Sequence, residues 1–367
     1  MQFQQRLAET PFGQNTRHNR RTANTFNLVS GSRETQSVQR TGYLARINWH
    51  FNGTLTVTLG GGTAALDGQG PWNAMSRVKV SANAGTDIFN VSGYGAYLVE
   101  AAMLAKAGYV VGDSGLPAAL GYSPQVYQAA TAAGANTWDF GLTVPIAVNE
   151  ESEIGLILLQ NEISSIQLGF EYNTVYSLTA SQAPVLVTGA AVATLTGTIT
   201  PTLEYFSVPA DVNARPDITW IHQLLETYQI VGSVGDQTVP LLRENYYLGL
   251  MHYLVLNNAL NSTDVDRWRI TLNKSETPYD QLKRDLFHEQ RTRQGKDLPV
   301  GTFLRDLYYQ GFPNFGGSRD FINGKSTSEL ESILTVASGA ALGSNASRLA
   351  TITRQIVRLT TPPVGGV

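Results

Sequence analysis

The sequence predicts a mainly β chain made of two sandwich-like domains in tandem. Three observations carry this reading. Apolar residues alternate with polar ones, with a period of two, in run after run along the chain, as half-buried strands require. One such run, in Thr194–Pro216, places Leu195, Ile199, Leu203 and Tyr205 on one face, opposite Thr194, Thr196, Thr198, Thr200 and Thr202, and then passes into the extended, proline-rich Pro209–Pro216. The chain is also 367 residues long, enough for about two domains. The Thr-rich strand therefore closes a first domain and Pro209–Pro216 links it to a second, with Pro201 marking an edge or a bulge because proline cannot donate to a ladder.

Residues 1–40 differ in composition from the rest. Arg6, Arg17, Arg20, Arg21, Arg33 and Arg40 outnumber Glu9 and Glu34, and the few apolar side chains are too sparse to form a core. This segment reads as a mobile basic arm, with Arg17, Arg20 and Arg21 as its candidate contacts to an anionic partner. Strands begin at Tyr43. Ala45, Ile47, Trp49 and Phe51 alternate with polar residues, Asn52-Gly53 reads as a hairpin turn, and Leu55, Val57 and Leu59 continue the alternation. Ser76–Val80 and Asp87–Val91 form a second hairpin about Asn83 and Gly85.

Over Gly93–Lys106 the period changes, and Tyr94, Tyr97, Leu98, Ala101 and Leu104 fall at helical spacing. Tyr109–Thr137 has no clear period and reads as a long excursion between strands. Alternation returns at Phe140–Val148, in the apolar Ile154–Leu159 and at Ile166–Tyr172, which brings the first domain to about eight strands.

In the second half, Tyr247–Leu256 is apolar on both faces, the mark of a central strand. Asn257–Asn261 turns it, and Trp268, Ile270 and Leu272 alternate. Thr277 with Pro278 reads as the cap and first turn of a helix carrying Tyr279, Leu282 and Leu286. Val300–Tyr309, Glu329–Val336 and Arg348–Leu359 supply further strands. The boundaries are a basic arm at 1–40, a first domain at 41–209, a linker at 210–216, a second domain at 217–361 and a flexible end at 362–367.

Charged residues make up 15% of the chain against roughly 25% in ordinary soluble proteins, which suits a surface that is covered by copies of itself. The formal net charge of −3 gives no case for nucleic-acid binding by the body of the protein. There is no cysteine, hence no disulfide and no thiolate chemistry. The N-terminus lacks the apolar stretch of a secretory signal, and Ala101–Val111 is too short to cross a bilayer, so the chain reads as soluble when made.

Catalytic and metal patterns find little support. Gly112-Asp113-Ser114-Gly115 matches the nucleophile turn of chymotrypsin-like proteases, but the nearest imidazole, His50, sits mid-strand without that family's setting. The five histidines are scattered, with no H-x-H or H-E-x-x-H pairing for a metal. Gly93-Tyr94-Gly95 lacks the third glycine of a dinucleotide loop. No enzyme, cofactor or metal centre is expected.

Pro71–Glu100 (PWNAMSRVKVSANAGTDIFNVSGYGAYLVE), Leu142–Asn173, Glu244–Leu260 (ENYYLGLMHYLVLNNAL) and Leu298–Ala337, taken in that order and spacing, resemble the double jelly-roll major capsid proteins of tailless, tectivirus-like bacteriophages with an internal membrane. The resemblance implies two eight-stranded jelly-roll sandwiches standing side by side, with Leu195, Ile199, Leu203 and Tyr205 facing the core of the first. It implies a homotrimer of pseudo-hexagonal outline tiling an icosahedral shell around a membrane and a double-stranded DNA genome. The implied partners are further copies of the chain, penton and minor capsid proteins, and the viral membrane, met by the arm through Arg17, Arg20 and Arg21; sequence-specific nucleic-acid binding is not implied. The chain would be found in the virion capsid, and soluble in the host cytoplasm before assembly. The alternative is a receptor- or carbohydrate-binding β-sandwich, spike- or lectin-like, in which Tyr109, Tyr122, Tyr127 and Trp138 form a stacking platform.

Overall fold

The computed structural model describes residues 10–29, 31–82, 85–104, 126–148, 153–160, 165–173, 187–188, 190–257, 259–261, 263–294, 307–312, 321–342 and 347–358. Most of Tyr109–Thr137 and of Gly311–Lys325, including Ser114, Tyr109 and Tyr122, lies outside the described residues, as does the side chain of Tyr127.

The second half is a complete jelly roll. Among the described residues its eight longest strands are Trp220–Ile230, Gly235–Pro240, Tyr246–Leu256, Val265–Leu272, Glu276–Leu282, Leu307–Gly311, Leu330–Val336 and Arg348–Arg358. In one sheet the first strand pairs the eighth, the eighth the third and the third the sixth. In the other the second pairs the seventh, the seventh the fourth and the fourth the fifth. This nesting is the double Greek key of a jelly-roll sandwich. Tyr247, Leu250, Leu254, Trp268, Leu334 and Leu349 fill the space between the sheets.

The first half is built around two strands of 17 residues each, Tyr43–Leu59 and Ala190–Phe206, each about 50 Å long at the usual rise per residue. They pair antiparallel along nearly their whole length, and Tyr43–Leu59 also pairs Gly134–Pro145. The facing layer runs Arg33–Ser37, Ile166–Tyr172, Met75–Ala82, Thr86–Val91. Leu195, Ile199 and Leu203 are fully buried in the core between the layers, and Tyr205 is partly buried against it.

Asn52-Gly53 is not a turn. Gly53 lies inside the long strand, directly opposite Gly197. A Cβ on Gly53 would come 2.2 Å from the Thr196 carbonyl oxygen, and one on Gly197 2.6 Å from that of Asn52. The paired glycines let the two backbones approach while the Phe51 ring covers both, so Gly53 answers a packing demand from a strand more than 140 residues away.

Pro201 sits on the second strand from the sheet edge. Its carbonyl accepts from Ala23 N–H, so its missing N–H points to the same side, where the edge is interrupted between His18–Thr22 and Phe26–Leu28. The Thr277-Pro278 reading also changes. Glu276–Leu282 is an edge strand with an irregular register near Pro278, and the helix begins only at Lys283, running to Gln294 with Leu286 buried.

Residues 10–40 are not a free arm. His18–Thr22 and Phe26–Leu28 extend the first sheet along Ala190–Phe206, and Arg33–Ser37 extends the second along Ile166–Tyr172. The segment has few apolar groups, but Phe26 and Leu28 enter the first core, and Phe12 fills a small cluster with Tyr43, Ala147 and Leu156. Ladder hydrogen bonds pair the backbones of these three strands with the barrel.

Candidate assembly surfaces and the seam between the barrels

The two halves share one sheet. Thr86–Val91 of the first pairs Trp220–Ile230 of the second in parallel, through Leu224 opposite Phe89 and Leu225 opposite Asn90. The resulting ten-stranded sheet crosses the molecule. Its second-barrel part is covered on its outer face by the first barrel, and Leu224, Met251, Tyr253, Val255 and Ile352 belong to the first barrel's core cluster. This explains why Tyr246–Leu256 is apolar on both faces. The Pro209–Pro216 linker carries a short 3₁₀ turn at Val212–Ala214, which packs against the short helix Pro11–Asn15.

The helix Gly93–Leu104 is buried all round from Gly93 to Ala102, as a helix held between two packed bodies must be. Trp72 stacks on Tyr97 with ring centroids 3.8 Å apart, and Tyr94 meets Tyr253 of the second barrel edge-on at 5.3 Å. At the N-terminus of the helix lies Glu226 from the second barrel. Its carboxylate accepts from the Ser92 N–H, from Ser92 Oγ at 3.2 Å and from the Tyr253 hydroxyl at 2.6 Å, with Arg77 Nη1 at 3.7 Å. The carboxylate is held there by the Ser92 N–H just before the helix, by the two hydroxyls and by the guanidinium. Burial, joined by the same charge, holds the Tyr253 hydroxyl well above its ordinary pKa. A Cβ on Gly95 would lie 3.0 Å from Glu226 Oε1, and one on Gly93 2.1 Å from the Trp72 carbonyl oxygen. The Gly93-Tyr94-Gly95 motif thus serves close packing.

Two buried histidines lie in the second barrel. His252 is bracketed by Thr351 Oγ1 at 2.9 Å and Ser332 Oγ at 2.8 Å, and Ser332 also receives the Trp268 indole N–H at 2.8 Å. His222 faces the first barrel, between Arg354 and the Ile146 carbonyl. Burial lowers the pKa of both to about 3, helped at His222 by the Arg354 charge.

The predicted arm residues sit at the sheet edge. Arg20 Nε lies 2.9 Å from Glu204 Oε1, and Glu204 is also met by Arg46 at 3.3 Å, His18 at 3.4 Å and Asn48 Nδ2 at 2.7 Å. Glu204 is buried, so these groups tie the N-terminal strand to the barrel through a satisfied carboxylate. Arg21 lies opposite Leu203, and the Arg17 backbone N–H donates to Ser207 Oγ at 2.9 Å. Arg17, Arg20 and Arg21 are all exposed at least in part.

His50 pairs with Asp139 on the open face of the long strands, opposite Thr200 and Gly141. Among the described residues no group of three or more His, Cys, Asp or Glu could hold a metal ion, and no helix is long and apolar enough to cross a membrane. A groove of about 250 Å³ on the outer face of the shared sheet is lined by Arg33, Thr35, Lys79, Ser81, Gln167 and Gly169. Its cations are matched by Glu171 and Asp87. Trp138 does not form an exposed platform: it is fully buried and donates its indole N–H to the Ala130 carbonyl at 2.8 Å.

No protein-family model matches the sequence, and no curated protein matches it. Solved structures do. The chain is similar to the major capsid protein of Sulfolobus turreted icosahedral virus, with a TM-score of 0.67, 13% identity, and coverage of 93% of this chain and 97% of that one. It is similar to the faustovirus major capsid protein, with a TM-score of 0.59, 10% identity, and coverage of 93% and 90%. It is also similar to the major capsid protein P2 of bacteriophage PM2, with a TM-score of 0.50, 11% identity, and coverage of 93% and 98%. The fold is therefore the double jelly roll of viral major capsid proteins, preserved across both barrels at identities near the level of chance.

Proposed function

We propose that this chain is the major capsid protein of an icosahedral virus. The observation that carries the reading is the likeness to viral major capsid proteins over more than nine-tenths of the chain, so that both barrels are matched together. One rigid pair of barrels has two similar lobes, so three chains around an axis present six lobes and tile a surface with a pseudo-hexagonal outline. The low charge of the sequence agrees with surfaces covered by neighbouring copies. The role is structural rather than enzymatic.

The finer reading extends this to a shell around an internal membrane and a double-stranded DNA genome, of the tectivirus-like type, with penton and minor capsid proteins as further partners. Arg17, Arg20 and Arg21, at the sheet edge, are the groups that would meet anionic headgroups, each worth about 1 kcal/mol near such a surface. The protein would be soluble in the host cytoplasm before assembly and in the virion capsid afterwards. Light scattering on the purified chain tests the assembly unit: a mass near three times 39.8 kDa is expected, and a monomer at micromolar concentration would count against it. Sub-micromolar binding to a glycan array by a monomer would turn the reading to the receptor-binding alternative.

A further inference from the structure

His222 joins the two barrels through atoms whose roles are fixed by their partners. Nδ1 lies 3.3 Å from the carbonyl oxygen of Ile146, in the first barrel. A carbonyl can only accept, so Nδ1 carries the hydrogen. Nε2 lies 3.2 Å from Nε of Arg354, which can only donate, so Nε2 is the acceptor. The same guanidinium donates through Nη2 to the carbonyl of Val148, again in the first barrel. The neutral Nδ1–H imidazole is thus a link between a second-barrel arginine and first-barrel carbonyls.

The groups around the ring leave no second arrangement within the closed seam. From the Arg348–Arg358 strand, Arg354 faces it; from the first barrel come the Ile146 and Ala147 backbone, and Gly155, where a Cβ would lie 2.8 Å from His222 Cβ. On its own strand the next residue of the same face is Leu224, which is uncharged and fully buried. Among the described residues, the charge acting on the ring is that of Arg354. Residues 149–152, with Glu150 and Glu151, lie outside the described set. A second proton on Nε2 would abolish the acceptor and set an imidazolium against the guanidinium in a site closed to water. Farther along the same face of the strand, Tyr94, Tyr253, Met251 and Leu224 pack together, and the carboxylate at that end is Glu226, which is bonded to Ser92 and Tyr253 and does not touch His222.

We propose that this contact is an acid-released fastener, in which protonation of His222 frees the Ile146–Val148 segment from the second barrel and lets it part from Ala45 and Ile154, while the apolar centre of the seam stays closed. The direction follows from linkage. Closed, the ring has a pKa of about 3; open to water, it regains the ordinary value near 6.5. Above pH 6.5 opening is independent of pH. Below that it is favoured about tenfold per pH unit, levelling off near pH 3, so the open population at pH 5 is about 30-fold that at pH 7.5.

Hydrogen exchange on the full chain, corrected for the intrinsic pH dependence of exchange, reads this at the amides of Ile146, Ala147 and Val148. In the closed form these donate to the carbonyls of Ala45, Ala45 and Ile154. Their opening constant is expected to rise about 30-fold between pH 7.5 and pH 5, while the Leu334 amide, in the second barrel's interior, keeps its protection. In His222→Gln, whose amide can both donate and accept, the rise should vanish. A flat profile in the natural protein, or an unchanged rise in H222Q, would overturn the proposal. If H222Q does not fold, the ring resonances of His222 decide: a neutral ring down to pH 5 is expected, and a titration midpoint near 6.5 in the folded protein would overturn it.

Discussion

Replacing Glu226 by Ala tests whether the two barrels are held as one body by a charge that only their contact satisfies. The carboxylate accepts from the Ser92 N–H, the Ser92 hydroxyl and the Tyr253 hydroxyl, and lies 3.7 Å from Arg77 Nη1. Glu226→Ala would leave three donors buried without that acceptor, and a guanidinium without its nearby anion. A stranded donor costs about 1–3 kcal/mol and a broken buried ion pair about 3–5 kcal/mol; these overlap here, so we expect a loss of about 4 kcal/mol. Glu226→Gln keeps one carbonyl acceptor and should lose about half as much. The assay is urea unfolding at a fixed protomer concentration, because association would otherwise shift the midpoint, followed by both far-ultraviolet circular dichroism and tryptophan fluorescence. A loss below about 1 kcal/mol with an unchanged slope would show that the apolar contacts alone hold the seam and would refute the role given to Glu226.

Ile199→Asp places an unpaired charge at a fully buried site between the layers of the first barrel and should abolish folding of the chain, seen as loss of near-ultraviolet dichroism and of any defined oligomer. His252, neutral in the fold with a pKa near 3 against 6.5 when unfolded, contributes stability that is complete above pH 6.5 and declines as pH falls toward 3. At pH 5 its share of the loss is about 2 kcal/mol, and His252→Gln should flatten the slope of unfolding free energy against pH by one proton's worth. Replacing Arg17 and Arg21 together by Ala, with Arg20 kept because it pairs with Glu204, should leave circular dichroism unchanged and weaken cosedimentation with phosphatidylserine vesicles at low salt by about 30-fold. Unchanged binding would remove the case for those residues as lipid contacts.

The sequence made local structure legible wherever burial has a period. The Thr-rich strand, the helix at Gly93 and the central strand at Tyr247–Leu256 all lie close to where alternation or helical spacing puts them. Misreadings came where a distant partner decides the outcome. Asn52-Gly53 has the residues of a tight turn, but Gly197 and Phe51 make it a crossing point of two long strands. Thr277-Pro278 has the residues of a helix start, yet lies in an edge strand where a missing donor does no harm. The basic segment at 10–40 looked too polar to fold because the buried carboxylate that holds it, Glu204, is supplied from the far side of the first barrel's sequence. The seam left one signal, the second apolar face of Tyr247–Leu256, but not its partner: its backbone link is two parallel residue pairs, and the burial of Glu226 and His222 depends on a helix and a loop more than 65 residues earlier.

The shared sheet also limits how such a chain can be taken apart. Cutting it at Pro209–Pro216 would not give two domains, because the second half would display Met251, Tyr253, Val255 and Ile352 as a bare apolar face, and the first would have a helix with its N-terminal charge partner gone. Heat or denaturant therefore meets one cooperative unit rather than two. For a lineage carrying this fold, the smallest piece that can be duplicated, exchanged or discarded without exposing a core is the double barrel, not the single one.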